Sequence, residues 1–371
     1  AFRLPRDVEQ QTIGAERFPL WAGPEGWQTA CHNPSVIDAI LTGKPYPVRA
    51  MYISGVNIAV TYPNSARTIE ALKSLDFLVV ASQTMNPTAA FADIVLPKTT
   101  TLEEEEVQLQ QGGPCVSYTR AVLPPRGEAR CDLDIALGLR NRMATRQALT
   151  ADFLPWKNQQ ELNACLLGES GITIDELRET GFAHFPYALE DFDTAGFATP
   201  SGKVELYSDR LAALGIDPLP GYVPPQADTA SQAVRAMYPL VLLTGIREKS
   251  YHHSRFRDQE WARKVSPDPL LTIHPDTAIE YAVADSDWVL IRTPGTATPC
   301  RVRVSVSDRT PPGVVATGMG WWDPAARSSD LGALDININA AMTYDGPWDP
   351  ITGSADSHGL RCRITALDTP S

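Results

Sequence analysis

LLTGIREKSYHHSRFRDQEW, residues 242 to 261, decides how this chain is read. An apolar run from Tyr238 to Leu243 has the length and character of a buried strand and stops at Thr244-Gly245. Beyond that turn stand Arg247, Lys249, His252, His253, Ser254, Arg255 and Arg257. So many donors past a strand's C-terminal end suit an anionic ligand.

Working outward toward the C-terminus, the texture is short strands and turns. Leu270 to Ile273, Asp287 to Thr293, Pro299 to Val306 and Gly313 to Thr317 read as strands. A last one follows where Arg361 and Arg363 alternate with Cys362. His274-Pro275 opens a short helix over Asp276 to Tyr281, with proline suited to a first helical position. Short strands with few helices predict a compact β-barrel over residues 236–371.

Toward the N-terminus the pattern changes to alternating strands and helices. Val48 to Ile53, Phe77 to Ala81 and Ile94 to Leu96 are strands, the last stopped by Pro97; Ser65 to Leu75 has helical spacing. This predicts an α/β domain over 46–145, doubly wound around a parallel sheet, with a ligand at the strand ends. Gly55, Asn57, Ser82 and Gln83 stand there. Residues 1–45 read as an irregular segment without its own core, carrying one short helix around Ser35 to Leu41. Within 101–106, TLEEEE is either a solvated face or an anchor for the loop that follows. Asp132 to Met143 reads as an amphipathic helix with its charges placed as the macrodipole favours. Residues 146–235 read as a mixed helical segment and linker. Helices are expected over Asn158 to Leu167 and Ile174 to Glu179, a turn leading into a strand over Thr199 to Tyr207, and a linker over Leu214 to Ala233.

Composition narrows the function classes. A net charge of −12 argues against a nucleic-acid backbone as partner. No apolar run approaches the roughly 20 residues of a membrane span. The N-terminus lacks both an initiator methionine and a signal-peptide layout, which reads as the interior of a longer chain. Six scattered cysteines form no CxxC, which argues against a zinc knuckle or iron–sulfur cluster held by this chain alone; buried thiols in a reducing compartment are the simpler reading. Zinc at His252-His253 lacks a third ligand at useful spacing.

Taken in order, these motifs resemble a known family. TGIR ending at Arg247, YHHS (Tyr251 to Ser254), IHPDTA (Ile273 to Ala278) and DSDWV (Asp285 to Val289) are similar to the dinucleotide-binding domain of molybdopterin-dependent oxidoreductases, the dimethyl-sulfoxide-reductase family of Mo and W enzymes. SGVN (Ser54 to Asn57), ADIVLP (Ala92 to Pro97) and TPSGKVELYS (Thr199 to Ser208) resemble the α/β domain that precedes it. GWWDP (Gly320 to Pro324), ININ (Ile336 to Asn339), WDPITGS (Trp348 to Ser354) and LRCR (Leu360 to Arg363) resemble the acetylene-hydratase-like branch. Ala282 and Ser286 depart from the family, which has glycine at these turn positions of positive φ. Ile58 replaces a Pro or small residue, and Gln83 an acidic one.

The resemblance implies a double-psi-type six-stranded barrel and the cofactor bis-molybdopterin guanine dinucleotide (bis-MGD) around Mo or W. It casts Gly55, Asn57, Ser82 and Gln83 as guanosine contacts, and Thr244, Gly245 and Arg247 as contacts to phosphate or pterin. His252, His253 and Ser254 would line the pterin, Trp321 would stack on it, Asn337 and Asn339 would read its edge, and Arg361 would reach a phosphate. No catalytic residue and no metal ligand is assigned. The family's N-terminal iron–sulfur motif and metal ligand are absent here, so the expected partners are a missing N-terminal half and an iron–sulfur electron-transfer subunit. The compartment expected is the cytoplasm, or the periplasm given an upstream twin-arginine signal. Two other readings stay open: a non-redox hydratase or transhydroxylase of the same family, and a stand-alone cofactor carrier without catalysis.

Overall fold

The structure, a computed structural model, describes residues 4–26, 30–109, 115–146, 154–185, 192–219 and 221–367. The chain forms two compact units, one of residues 1–80, 84–95 and 221–371, the other of 81–83 and 96–220.

The first unit opens irregularly yet buries Ile13, Phe18 and Ala22. The helix Asn33–Thr42 follows, and His32 ahead of it places Nε2 3.0 Å from the Gly353 carbonyl. β1 (Ala50–Ser54), β2 (Phe77–Ser82) and β3 (Ile94–Pro97) make a sheet in the order β1-β2-β3. Between β1 and β2 lie the helices Ile58–Thr61 and Ser65–Ser74. Asn64 starts the second one: it takes the left-handed conformation at φ 53, and its side chain accepts from Arg67 N. Ile53, Ile58, Ile69, Leu72, Leu78 and Val80 close a core between sheet and helices.

The second unit holds an antiparallel sheet the sequence reading did not anticipate: β4 (Glu106–Leu109), β5 (Cys115–Thr119) and β6 (Phe182–His184). Val107, Val116, Leu167 and Leu177 form its core, with helices Gln159–Leu167 and Ile174–Thr180 supplying the last two. The four carboxylates at 103–106, the last of which begins β4, each have a partner. Glu103 closes a capping box on Thr100 and accepts from Arg126 N, Glu104 accepts from Thr99 Oγ1, Glu105 pairs with Arg178, and Glu106 accepts from Gln108. They anchor loops rather than form a solvated face. The strand expected within Thr199 to Tyr207 is absent. Thr199 Oγ1 instead donates to the Lys203 carbonyl, and the Glu205 carboxylate accepts from Ser201 N, which coils the backbone on itself.

Back in the first unit, β7 (Leu240–Ile246), β8 (Leu270–Ile273), β9 (Trp288–Arg292), β10 (Cys300–Val306), β11 (Val314–Gly318) and β12 (His358–Ala366) close a six-stranded barrel in the order β10-β8-β11-β7-β12-β9. β10 pairs parallel with β8 and β11 parallel with β7, while the other four seams are antiparallel. Leu242, Leu271, Ile273, Val289, Ile291, Cys300, Val315 and Cys362 fill the interior without measurable exposure. The barrel is therefore a packed core, and each such aliphatic side chain stabilises it by about 1.5–3 kcal/mol of burial. Burial also pushes the Cys300 and Cys362 thiols far above their ordinary values, so neither is a thiolate. The expected linker is partly structured. Its helices Gln226–Thr229 and Gln232–Met237 pack against β12.

Candidate functional site: the rim of the barrel

β7 leaves the barrel through a bulge, where the β11 register shifts between Thr317 and Gly318. Thr244 donates its hydroxyl to the Ser357 carbonyl, which fixes the start of the loop. Gly245 then turns at φ 92; a Cβ there would come within 3.0 Å of His358 Cε1, so the imidazole and the backbone both require glycine. Past it, Arg247 Nη1 lies 2.7 Å from His253 Nδ1. His253 sits at φ 55, with its ring edge-on to His252 at 4.8 Å. Burial, the Arg247 cation and His252 hold its pKa below the ordinary histidine value, so at neutral pH it is an uncharged acceptor for Arg247.

A second loop, Gly318 to Trp322, grips this one. Gly320 turns at φ 79, and a Cβ on it would lie 2.9 Å from the His253 carbonyl carbon. Trp322 Nε1 donates to the Ser254 carbonyl at 2.9 Å. Arg257 lies between the Tyr251 and Trp321 rings, its guanidinium carbon 3.7 Å from each centroid. Trp321 itself is buried in a small cluster with Tyr251 and Ala262, so it fills volume and offers no open face for stacking.

The asparagines of ININ have their polar groups taken up. Asn337 Oδ1 accepts from Gly320 N at 3.2 Å, while its Nδ2 donates to the Val60 carbonyl at 2.9 Å and to Ser65 Oγ. Asn339 Nδ2 donates to the same Val60 carbonyl at 2.8 Å. Both are buried, and they fasten the helix Ile58–Thr61 to the barrel rim instead of presenting an edge. Arg361 is likewise engaged: Nε donates to the Ala227 carbonyl and Nη1 to the Pro239 carbonyl. It lines a cavity of about 190 Å³ with Gln226, Thr293, Thr343 and Asp356.

At the end of β1, Gly55 turns at φ 72 with open space around it. Asn57 is buried; its Oδ1 accepts from both the amide and the hydroxyl of Thr88, and its Nδ2 has no partner. The backbone carbonyl of Asn57 accepts from Val60 N, so the Asn57 loop and the Gly320 loop meet through Asn337. Ser82 and Gln83 belong to the other unit, where the Ser82 carbonyl accepts from Lys98 N and the Gln83 amide donates to the Thr99 carbonyl. Sequence reasoning missed Thr88 and His358. Only the fold brings them beside Asn57 and Gly245, and neither carried a local signal.

Among the described residues, no group of three or more His, Cys, Asp or Glu side chains is placed to hold a metal ion. A cofactor would have to be held by hydrogen bonds and cations. The rim offers exposed donors in Arg247 and His252, while the buried Asn57 Nδ2, Arg257 Nε and Nη1, and Trp321 Nε1 have no hydrogen-bond partner behind them. With Arg247 and the glycine turns at 55 and 245, this is the complement of an acceptor-rich polyanion.

Comparison with known proteins agrees with that chemistry. Residues 240–361 match the Molydopterin dinucleotide binding domain, and residues 31–142 match Molybdopterin oxidoreductase. Acetylene hydratase of Syntrophotalea acetylenica is 31% identical over 341 residues, 88% of this chain and 45% of that protein. Dopamine dehydroxylase of Eggerthella lenta is 26% identical over 434 residues, 97% of this chain and 42% of that protein. The solved structure of acetylene hydratase from Pelobacter acetylenicus superposes with a TM-score of 0.88 at 27% identity, over 98% of this chain and 53% of that one. The chain spans less than half the length of these curated relatives.

Proposed function

The chain belongs to the molybdopterin oxidoreductases of the dimethyl-sulfoxide-reductase family, on the acetylene-hydratase-like branch, and on that premise we propose that it is the cofactor-clamping portion of such an enzyme. The observation that carries this reading is the loop past β7, where Gly245 turns at φ 92 and exposed Arg247 stands 2.7 Å from His253 Nδ1. Bis-MGD is a long polyanion whose pyrophosphates and pterin edges need such donors. Thr244, Gly245, Arg247, His252, His253 and Ser254 would hold one dinucleotide, and Gly55 and Asn57 would approach the guanosine end of one. When bound, the cofactor supplies oxygen-atom, hydroxyl or electron-pair transfer at Mo or W. The residues of this chain would orient it, with the uncharged His253 among those that line it.

The remainder of a relative-length enzyme would bring the metal's protein ligand and any iron–sulfur cluster. No helix among the described residues is long and apolar enough to cross a membrane, and the cytoplasm is the compartment we propose. The first test is composition. Full-length protein, denatured after purification, should release Mo or W and about two guanine nucleotides per metal, as bis-MGD requires. Protein made under Mo- and W-replete conditions that releases neither would sink the reading.

A second reading, water addition without net redox change, is favoured by the likeness to acetylene hydratase. It predicts turnover that consumes no external electron acceptor. A strict requirement for an oxidant or reductant as co-substrate would exclude it.

A further inference from the structure

Arg257 is 2% exposed and forms no ion pair among the described residues, though the Glu248 carboxylate acts on its charge through space. Its Nη2 donates to the carbonyls of His253 at 3.4 Å and Met319 at 3.2 Å, while Nε and Nη1 have no partner. Burial pulls its pKa down to about 10, which still leaves it charged at neutral pH. Burying a charge is costly, and the two ring faces and two carbonyls around the guanidinium offset only part of that cost.

Two features say what it is for. The carbonyls it holds belong to His253, whose backbone is already at φ 55, and to Met319, next to the Gly320 that presses on His253. The guanidinium thus ties together the two loops on either side of the His252 to Ser254 turn. Its charge, shielded from water and with no ion pair among the described residues, also raises the positive potential at that turn, although Glu248 acts on it through space. We infer that Arg257 is a positioning residue for a pyrophosphate-bearing dinucleotide, setting the backbone of the His252 to Ser254 turn and lending it a buried positive charge. This rests on the cofactor reading above.

The test compares full-length wild type with Arg257→Met and Arg257→Lys. Two quantities are measured: the thermal midpoint, and the rate at which guanine nucleotide leaves the protein on dilution into moderate salt. Arg257→Met should melt close to the wild-type temperature, because the lost hydrogen bonds and ring contacts are offset by removal of the buried charge, and should lose nucleotide about tenfold faster, within the range for a residue that acts on a ligand without touching it. Arg257→Lys should fall closer to wild type. Nucleotide release from Arg257→Met at the wild-type rate would overturn the inference. So would a methionine variant that fails to fold or melts well below wild type, which would make Arg257 a staple of the fold. A lysine variant that releases nucleotide as fast as methionine would overturn the role of the charge. Wild type that carries no guanine nucleotide is a different result: it defeats the cofactor reading, and this inference with it.

Discussion

Two residues sit in backbone conformations that their side chains oppose. Ala282 has φ 51 and Ser286 φ 72, in the turn that leads from the helix Pro275–Glu280 into β9. These are the positions where the family resemblance implies glycine, so the replacement is strained, not neutral. Ala282→Gly and Ser286→Gly should each stabilise the protein by about 0.5–1 kcal/mol, despite the entropy that glycine adds to the unfolded chain. For a unit of this size that is a rise of about 2–4 °C in Tm per substitution, readable by calorimetry. His32 makes a second prediction at this scale. Burial lowers its pKa below the ordinary value, and it is bonded on both sides, by Gly353 and Ser35. A lowered folded-state value means the unfolded chain takes up the proton first. Stability should then be full above about pH 6.5 and fall as the pH drops below it. Urea midpoints measured from pH 7.5 to 5 should show this acid-side slope, and His32→Gln should flatten it.

At the scale of elements, the Val60 carbonyl deserves a double-mutant cycle because it accepts two side-chain donors at once. Removing Asn339 alone leaves Asn337 on that oxygen. Removing both leaves a carbonyl beneath the rim with no side-chain donor. Asn337→Ala with Asn339→Ala should cost more than the sum of the singles, by about 1–2 kcal/mol in chemical denaturation. Which elements were legible follows from how each is stabilised. All six barrel strands stood out, because their apolar residues alternate toward one interior and turns bracket them. The sheet β4-β5-β6 did not. Its strands carry few apolar residues, and the carboxylate run that precedes β4 finds partners as far away as Arg178. The turn at Thr199 to Tyr207 misled for the opposite reason: Val204, Leu206 and Tyr207 look like strand residues, yet all three are exposed and the backbone is held by its own side chains.

At the scale of the whole molecule, the site was legible as chemistry and less so as geometry. The donor-rich turn at 247–257 could be read directly, because charge and glycine placement are properties of the residues themselves. That Asn337 and Asn339 serve the Val60 carbonyl, or that Trp321 is walled in by Tyr251, depends on distant segments meeting. No local pattern encodes such meetings. The same holds for Arg257, whose type was plain in the sequence while its burial between Tyr251 and Trp321 was not.

One further consequence follows from the way the barrel closes. β7, its first strand, is sealed on one side by β12, its last, and the hydroxyl of Thr244 reaches a carbonyl 113 positions later. The helix that opens the first unit waits longer still, since His32 finds Gly353 across 321 positions. Contacts of such separation form late, because the loop entropy must be overcome before they are rewarded. During synthesis, therefore, the first unit has no complete hydrophobic interior until β12 has left the ribosome. Until then the apolar faces of β7 and β9 lie open to chaperones or to aggregation. A cofactor that needs the finished rim can be inserted only after that moment, so loading follows the docking of β12 by construction of the fold.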